Sequence, residues 1–348
     1  MKKRSIAVLF GGCSSEYQVS LQSAFSVLTN LDPEKYNVVP VGITQQGEWY
    51  HYTGRYEKII DDTWHEDHKD LVRVVISNSR SVKGAIEMRN SGNSVISLDL
   101  AFPVLHGKNG EDGSVQGVFQ LLDIPIVGCS TLASALCMDK ARAHKLVQAE
   151  GIAVPRSVVL DRTNVKDLFH IAKAIPSPVF VKPARSGSSL GITKVSYPEH
   201  LMEAVEEAFM HDDTVIIEEC IDGFEVCCAL LGIDELTVGR VDEIELSQGF
   251  FDYDEKYTLK TAKIHMPARI DASLETMIQE TAKKIFRTLG CSGFARVDMF
   301  LRPDGQIVFN EVNTIPGFTS HSRYPEMMRG IGISFPDLLD RMIELYER

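Results

Sequence analysis

The sequence predicts an α/β protein of two or three domains, and three observations support this. The chain has 348 residues, and a domain takes about 150 residues on average. Hydrophobic residues make up 44% of the chain and charged residues 24%, which is typical of a globular protein. Short apolar runs alternate with helical patterns near the amino terminus. This alternation favours a parallel sheet, whose ligands bind at the carboxyl ends of the strands.

In the first unit, buried strands are expected at residues 5–10, 36–43, 98–105 and 124–127, and irregular structure is expected across the polar stretch 49–93. The second unit begins near residue 132. It is expected to contain a helix at 134–150, strands at 178–183, 191–195 and 214–220, and a helix at 199–210. The third unit is expected to contain a helix at 273–289 and a hairpin at 294–313. The domains are therefore predicted at 1–131, 132–223 and 224–348.

Charge and composition exclude several functions. The formal net charge of −12 disfavours nucleic acid as a partner, but a small phosphorylated ligand needs only a few well-placed Lys or Arg. The seven Cys form no C-x-x-C pair, so we expect reduced thiols of a cytoplasmic protein and no zinc site. The apolar run after residue 4 is too short for a secretory signal, and no segment approaches a membrane span.

The segment 294–313 indicates a metal site. Asp304-Gly305 predicts a two-residue type I′ hairpin turn, which places Asp298 opposite Glu311 and Arg296 opposite Asn313. Opposed carboxylates would lie about 5 Å apart at Cβ. A divalent cation relieves their repulsion, and these oxygen ligands suit Mg²⁺. The alternative is a solvated polar face on which Arg296 neutralises Asp298.

Four further segments are candidate binding elements. The Ser/Gly-rich loop 184–190, which follows Lys182, predicts a phosphate cradle, or else a plain turn. The long segment 247–261 predicts a lid, or else a solvated loop. Glu16 lies in the loop after the first strand, where it is either functional or a first-turn helix acid. His106 also ends a strand, and by itself it would more often be structural.

These segments, in this order, resemble the D-alanine–D-alanine ligase family of ATP-grasp enzymes across nearly the whole chain. The resemblance implies an amino-terminal substrate-binding α/β domain, followed by a central and a carboxy-terminal ATP-grasp lobe with antiparallel sheets. It also implies ATP-dependent joining of two amino acids through an acyl phosphate. Members of the family are commonly homodimers.

The resemblance assigns roles to individual residues. The groups expected to act in catalysis are Glu16, Ser188, Tyr257, Arg296 and Gly317. Those expected at the amino-acid substrates are Glu16, His106, Phe251, Ser322 and Arg323. The residues expected to bind ATP are Lys140, Lys182, Ser188, Ser189, Glu218, Glu219, Ile221, Glu225 and Lys256. Two Mg²⁺ ions, with Mn²⁺ as an alternative, are expected on Asp298, Glu311 and Asn313.

The second substrate is expected to be D-serine. The pair Ser322-Arg323 resembles the vancomycin-resistance ligases, and Glu255-Lys256-Tyr257 resembles their D-serine-making branch. Joining D-alanine to D-serine would give a modified peptidoglycan precursor, and D-alanine–D-alanine ligation is the alternative. Arg323 offers donors to a hydroxyl group, or it pairs with an acid such as Glu326. A regulatory module that binds ATP without chemistry is disfavoured because the expected catalytic set is intact.

Overall fold

The computed structural model describes residues 3–165, 168, 175–187, 190–246, 262–319 and 322–347. Within these residues the strands form three sheets of seven, four and five strands, which we call the first, second and third sheets in chain order. No described strand crosses the predicted boundaries after 131 and 223. The boundaries themselves stay a prediction.

The first sheet combines parallel and antiparallel pairs. Its strands are β1 (Arg4–Gly11), β2 (Tyr36–Ile43), β3 (Trp49–Tyr52), β4 (Leu71–Ile76), β5 (Gly84–Glu87), β6 (Ser94–Ser97) and β7 (Leu100–Pro103), in the order β6-β5-β4-β3-β2-β1-β7. β1 pairs in parallel with β2 and β7, as the alternating pattern predicted. The accompanying helices are α1 (Tyr17–Asn30), α2 (Glu57–Ile60) and α3 (Ser114–Leu121).

Two predictions for this region are wrong. The stretch 49–93 is not irregular, because β3 to β5 lie in it and, with β6, extend the sheet by antiparallel pairing. Most of these strands have only four residues, too few for a clear alternation of apolar and polar side chains. The expected strand at 124–127 forms only an isolated bridge between Ile126 and Ala101.

The second sheet is antiparallel, in the order β10-β9-β11-β8. In chain order its region contains α4 (Thr131–Met138), α5 (Lys140–Ala149), β8 (Ser157–Asp161), β9 (Val179–Pro183), β10 (Thr193–Val195), α6 (Leu201–Phe209) and β11 (Thr214–Glu219). The single helix predicted at 134–150 is wrong. Asp139 has an extended backbone, and its side chain accepts a hydrogen bond from the Arg142 N–H at 3.0 Å. It therefore caps α5, which begins at Lys140.

The third sheet is also antiparallel, in the order β14-β13-β12-β15-β16. Its region contains β12 (Phe224–Gly232), β13 (Leu236–Leu246), β14 (Ala262–His265), α7 (Ala272–Thr288), β15 (Gly293–Leu301), β16 (Ile307–Asn313), α8 (Arg323–Arg329) and α9 (Phe335–Glu344). A parallel-containing sheet followed by antiparallel sheets confirms the predicted fold class.

The β15–β16 hairpin differs from its prediction in the turn but not at the site. The Arg302 N–H donates to the Gln306 carbonyl at 3.0 Å, and Gly305 has a φ of +83°. The loop therefore has three residues rather than two. Next to the turn, the pairing of the two strands is therefore shifted by one residue from the predicted register. At Asn310 a β-bulge leaves one residue without a Cα partner, and beyond it the pairing returns to the predicted register. Asp298 then faces Glu311 and Arg296 faces Asn313, as predicted.

The first and third sheets share one core. Phe102 of β7 contacts Phe294 of β15 and Phe318, with ring centroids 6.4 and 6.1 Å apart. Helix α9 buries Leu338, Leu339, Met342 and Ile343 in the same cluster. The second sheet has a core of its own around Leu160, Val181 and Val205. Among the described helices, none combines the length and apolar character that crossing a membrane requires.

Candidate active site

A cleft of about 1160 Å³ collects the predicted site residues from all three sheet regions. Every site residue that was predicted from sequence and that the structure describes lines this cleft. These residues are Glu16, His106, Lys140, Lys182, Glu218, Glu219, Ile221, Glu225, Arg296, Asp298, Glu311, Asn313, Gly317, Ser322 and Arg323. The remaining predictions, Ser188, Ser189, Phe251, Lys256 and Tyr257, lie outside the described residues, as does the predicted lid 247–261.

Glu16 lies where β1 leads into α1, and two glycines crowd its carboxylate. It occupies the N-cap position of α1, but its side chain does not cap the helix. A Cβ atom added at Gly107 or at Gly187 would lie 2.5 Å from Glu16 Oε2. Only glycine permits so close an approach. Loops from the first and second sheet regions therefore meet at this carboxylate, which is only 8% exposed.

His106 joins α1 to the loop that follows β16. Its Nδ1 lies 2.9 Å from the Ile315 carbonyl oxygen, and its Nε2 lies 3.1 Å from Ser23 Oγ. Burial lowers the pKa of this imidazole, which favours the neutral ring. A carbonyl only accepts, so Nδ1–H donates to Ile315 and the Ser23 hydroxyl donates to Nε2. Every polar atom of the ring is thus used in holding the loop.

Glu111 is a residue of the cleft that the sequence analysis missed. It accepts the Gly107 N–H at 2.7 Å and the Ile315 N–H at 3.2 Å. Burial raises the pKa of its carboxyl group to about 8, and the charge of Glu16 adds to this effect. The glycine-rich sequence 107–113 around it was visible. Its partner Ile315 is 204 residues away, which no local pattern reveals.

Two buried lysines bring positive charge to the cleft. Lys140 Nζ lies 3.1 Å from Glu311 Oε2 and donates to the Ser186 carbonyl at 2.9 Å. Lys182 Nζ lies 2.6 Å from Glu218 Oε2. Although burial lowers it, the pKa of Lys140 is raised overall by the Glu311 carboxylate. Both lysines place their Nζ atoms beside acids in the cleft, an arrangement suited to phosphate oxygens.

The hairpin face carries a donor set that fits a divalent cation. Asp298 and Glu311 face each other on β15 and β16. The Asn313 Oδ1 atom is buried and has no hydrogen-bond partner among the described residues. Two carboxylates and an amide oxygen are ligands that Mg²⁺ accepts. Arg296 also binds Asp298 through Nε and Nη2, at 2.7 and 2.6 Å. The neutralising arginine considered as the alternative is therefore present beside the ligand set.

Arg323 lines the cleft and is the first residue of α8. Its Nε and Nη2 donate to Asp242 at 2.7 and 2.6 Å, and its Nη1 donates to Glu225 at 3.2 Å. The alternative that Arg323 pairs with an acid therefore holds, but Glu326 is the wrong acid, because it pairs with Arg329 instead. Asp242, on β13, is a second residue that the sequence analysis missed. It is 1% exposed, so it fixes the guanidinium firmly.

Ser322 and Gly317 lie side by side next to Arg323. The Ser322 Oγ accepts the Thr319 N–H at 2.9 Å. A Cβ atom added at Gly317 would lie 2.8 Å from Ser322 Oγ. Any side chain at residue 317 would therefore displace the Ser322 hydroxyl.

Two antiparallel sheets that enclose a cleft with buried lysines and an opposed carboxylate pair define an ATP-grasp ligase. The family model described as D-ala D-ala ligase N-terminus matches residues 5–129, and the one described as D-ala D-ala ligase C-terminus matches residues 146–344. The chain belongs to the D-alanine–D-alanine ligase family.

Relatives within this family include a vancomycin resistance protein and a D-alanine–D-alanine ligase. The vancomycin C-type resistance protein VanC1 of Enterococcus gallinarum is 45% identical, over 100% of this chain and 99% of its own length. The D-alanine–D-alanine ligase of Caldicellulosiruptor bescii is 43% identical, over 99% of this chain and 95% of its own length. Among solved structures, the VanG D-Ala:D-Ser ligase of Enterococcus faecalis has 62% identity and a TM-score of 0.93, covering 99% of this chain and 100% of its own.

Proposed function

We propose that this protein is an ATP-dependent D-alanine–D-serine ligase that makes a modified peptidoglycan precursor terminus associated with vancomycin resistance. The observation that carries the proposal is Arg323, which lines the cleft beside Ser322 and is held by Asp242. The 62% identity to the VanG D-Ala:D-Ser ligase supports it. D-alanine–D-alanine ligation is the second candidate, favoured by the identity to the Caldicellulosiruptor enzyme.

The first half-reaction activates D-alanine. Its carboxylate oxygen attacks the γ-phosphorus of ATP, the bond to the ADP oxygen breaks, and D-alanyl phosphate and ADP form. Glu16 would bind the ammonium group of this D-alanine, next to the ring of His106. For ATP, Lys140 and Lys182 would hold phosphates, Glu218, Glu219 and Ile221 would contact adenine, and Glu225 would contact ribose. Ser188, Ser189, Tyr257 and Lys256 would complete this site from the loop and the lid.

Asp298, Glu311 and Asn313 would hold two Mg²⁺ ions, or Mn²⁺. The buried Asn313 oxygen and the opposed carboxylates support this assignment. When bound, such ions neutralise the phosphate charge that grows during phosphoryl transfer. Arg296 would supply further positive charge from the same face.

In the second half-reaction, the D-serine amine attacks the acyl carbon and phosphate leaves. The Gly317 N–H would donate to the developing oxyanion, and Ser322 would bind the D-serine carboxylate. A guanidinium has five N–H groups, and Asp242 and Glu225 take three of those of Arg323. The remaining two would serve the D-serine hydroxyl, and the family resemblance also assigns Phe251 to the amino-acid substrates. We also propose a cytoplasmic homodimer, as the family resemblance implies.

A competition assay tests the substrate. The protein receives ATP, Mg²⁺ and labelled D-alanine with equal D-alanine, D-serine and D-lactate as acceptors, and the products are separated by chromatography. We expect D-alanyl-D-serine as the main product. Predominant D-alanyl-D-alanine from this equal mixture would establish the second candidate instead.

The variant Arg323→Lys tests the role of Arg323 without leaving Asp242 uncompensated. Lysine keeps the positive charge but not the planar fork. We expect the ratio of kcat/KM for D-serine to that for D-alanine to fall by about tenfold, the effect of losing roughly one hydrogen bond to a charged group. Arg240→Lys is the matched control, because Arg240 forms the same bidentate contact with Glu275 away from the cleft. Equal loss for both acceptors would assign Arg323 a purely structural role.

A further inference from the structure

The β-bulge at Asn310 decides which face of the hairpin carries Glu311. From the turn to the Met299–Phe309 pair, the two strands keep one register. Asn310 is then skipped, so the next residue of β15, Asp298, pairs with Glu311. A one-residue slip moves every following side chain to the opposite face of a sheet. In an unbulged hairpin, Glu311 would face Val297 and leave the side of Asp298. The bulge is therefore what turns these two acids into a pair.

Helix α5 holds the bulge through one of its faces. Lys140 and His144 lie four residues apart, so they are neighbours on the helix surface. Lys140 Nζ lies 3.1 Å from Glu311 Oε2, and His144 Nε2 lies 2.7 Å from the Asn310 carbonyl oxygen. The imidazole also packs edge-on against Phe309, with ring centroids 5.4 Å apart. His144 thus contacts the bulge residue and the residue before it.

The hydrogen bond to Asn310 has a defined direction. The Asn310 carbonyl oxygen only accepts, so His144 Nε2 must carry the hydrogen. His144 is 3% exposed, and burial lowers its pKa, although Glu218 opposes this effect. A neutral ring with the Nε2–H tautomer satisfies the contact. Because the site is buried, water is poorly placed to replace a lost donor.

We infer that His144 is a positioning residue for the metal site: its Nε2–H holds the Asn310 bulge that places Glu311 opposite Asp298, and it thereby sets the affinity for the divalent cation. His144 itself touches neither cation nor substrate. This inference rests on the metal ligands of the proposed function. Groups that orient metal ligands commonly change metal affinity about 10- to 100-fold when they are removed.

Mn²⁺ binding tests the inference without catalysis. Free Mn²⁺ is titrated by electron paramagnetic resonance against the full-length protein with ADP present. His144→Phe keeps a ring against Phe309 but has no donor, whereas His144→Gln carries an amide N–H at similar reach. We expect Mn²⁺ affinity to fall about tenfold or more in His144→Phe and to stay within about threefold of wild type in His144→Gln. The Mg²⁺ concentration for half-maximal activity should rise in parallel.

Val147→Ala is the matched control. Val147 is fully buried in the same helix but packs in the hydrophobic core, so this variant loses stability without losing the donor. Wild-type affinity in His144→Phe, or an equal loss in Val147→Ala, would overturn the inference while the metal assignment survives. If the wild-type protein binds no Mn²⁺, the metal assignment fails and this inference fails with it. Should His144→Phe not fold, His144→Asn, whose amide is too short to reach Asn310, replaces it in the comparison.

Discussion

At the scale of single residues, the cleft is built from buried acids that each have defined partners. Asp242 binds Arg323, Asp298 binds Arg296, and Glu218 binds Lys182. A buried charge is costly unless it is paired. Glu111 differs from these acids because its described partners are two backbone N–H groups. Its protonation should therefore depend on folding.

Glu111 predicts a pH dependence of stability. Its pKa is about 8 in the folded protein, against an ordinary value near 4.5. Between these pH values, the folded protein holds a proton that the unfolded chain has released, so stability falls as pH rises through this window. Glu111→Gln stays neutral at every pH. We expect the free energy of unfolding of the wild type to fall, relative to that of Glu111→Gln, from pH 5 to pH 8.

Urea unfolding at pH 5, 6.5 and 8 measures this difference. The quantity to compare is the change of the free energy of unfolding with pH, not its absolute value. The substitution also changes the absolute value, because the glutamine amide replaces one acceptor oxygen of Glu111 by a donor. Parallel pH profiles for the two proteins would contradict the prediction.

At the scale of elements, the turn and the register of the β15–β16 hairpin are determined at two different places. The three-residue turn reverses the chain, and the bulge at Asn310 sets the register at the proposed metal ligands. Bulges often re-aim side chains next to active sites. An error in the turn prediction therefore left the predicted Asp298–Glu311 pair intact.

Gly305 predicts a purely conformational effect on stability. Its φ is +83°, and a Cβ atom added there would meet no heavy atom within 4 Å. Gly305→Ala should therefore lower the free energy of unfolding by about 1–2 kcal/mol, the cost of a left-handed conformation, and Gly305→Asn should lower it less. Denaturant unfolding measures both. The Mg²⁺ dependence of activity should not change, since the bulge lies beyond the turn, and a shift in it would show that turn and register are coupled.

At the scale of the whole molecule, the first and third sheets are held as one unit. Helix α9 packs against the first sheet region, and the Tyr36 hydroxyl donates to Asp340 of α9 at 2.9 Å. The Tyr346 hydroxyl donates to the Gly128 carbonyl at 2.8 Å. The second sheet has a separate core. Glu16 and the proposed metal ligands thus belong to two sheet regions that share one hydrophobic core.

This arrangement predicts how the chain unfolds. Both tryptophans, Trp49 and Trp64, lie in the first sheet region. Leu339→Ala, in α9, should cost about 2–5 kcal/mol and shift the tryptophan fluorescence transition in urea to lower concentration. Leu160→Ala is the matched control, because Leu160 is equally buried but belongs to the core of the second sheet. An unchanged fluorescence transition in Leu339→Ala, or an equal shift in both variants, would contradict the prediction.

The sequence by itself determined the features that depend on neighbouring residues. Strand alternation placed Arg296, Asp298, Glu311 and Asn313 on one face, and the order of motifs indicated the family and the residues that line the cleft. Side-chain periodicity and turn residues act over a few positions, so they can be read from the chain directly. Short strands such as β3 and β5 were not predicted, because four residues show too little alternation of apolar and polar side chains.

Only the tertiary structure decided which distant groups meet. Arg323 binds Asp242 across 81 residues, His144 binds Asn310 across 166, and His106 binds Ile315 across 209. The contact of Arg323 joins a helix and a strand of the third sheet region, and the other two contacts join different sheet regions. No pattern within one segment specifies any of them. The bulge at Asn310 is also a tertiary feature, because it is defined by the pairing with β15 and contacts His144 of α5. Local sequence patterns therefore predicted the candidate ligands, whereas their distant contact partners depend on tertiary packing.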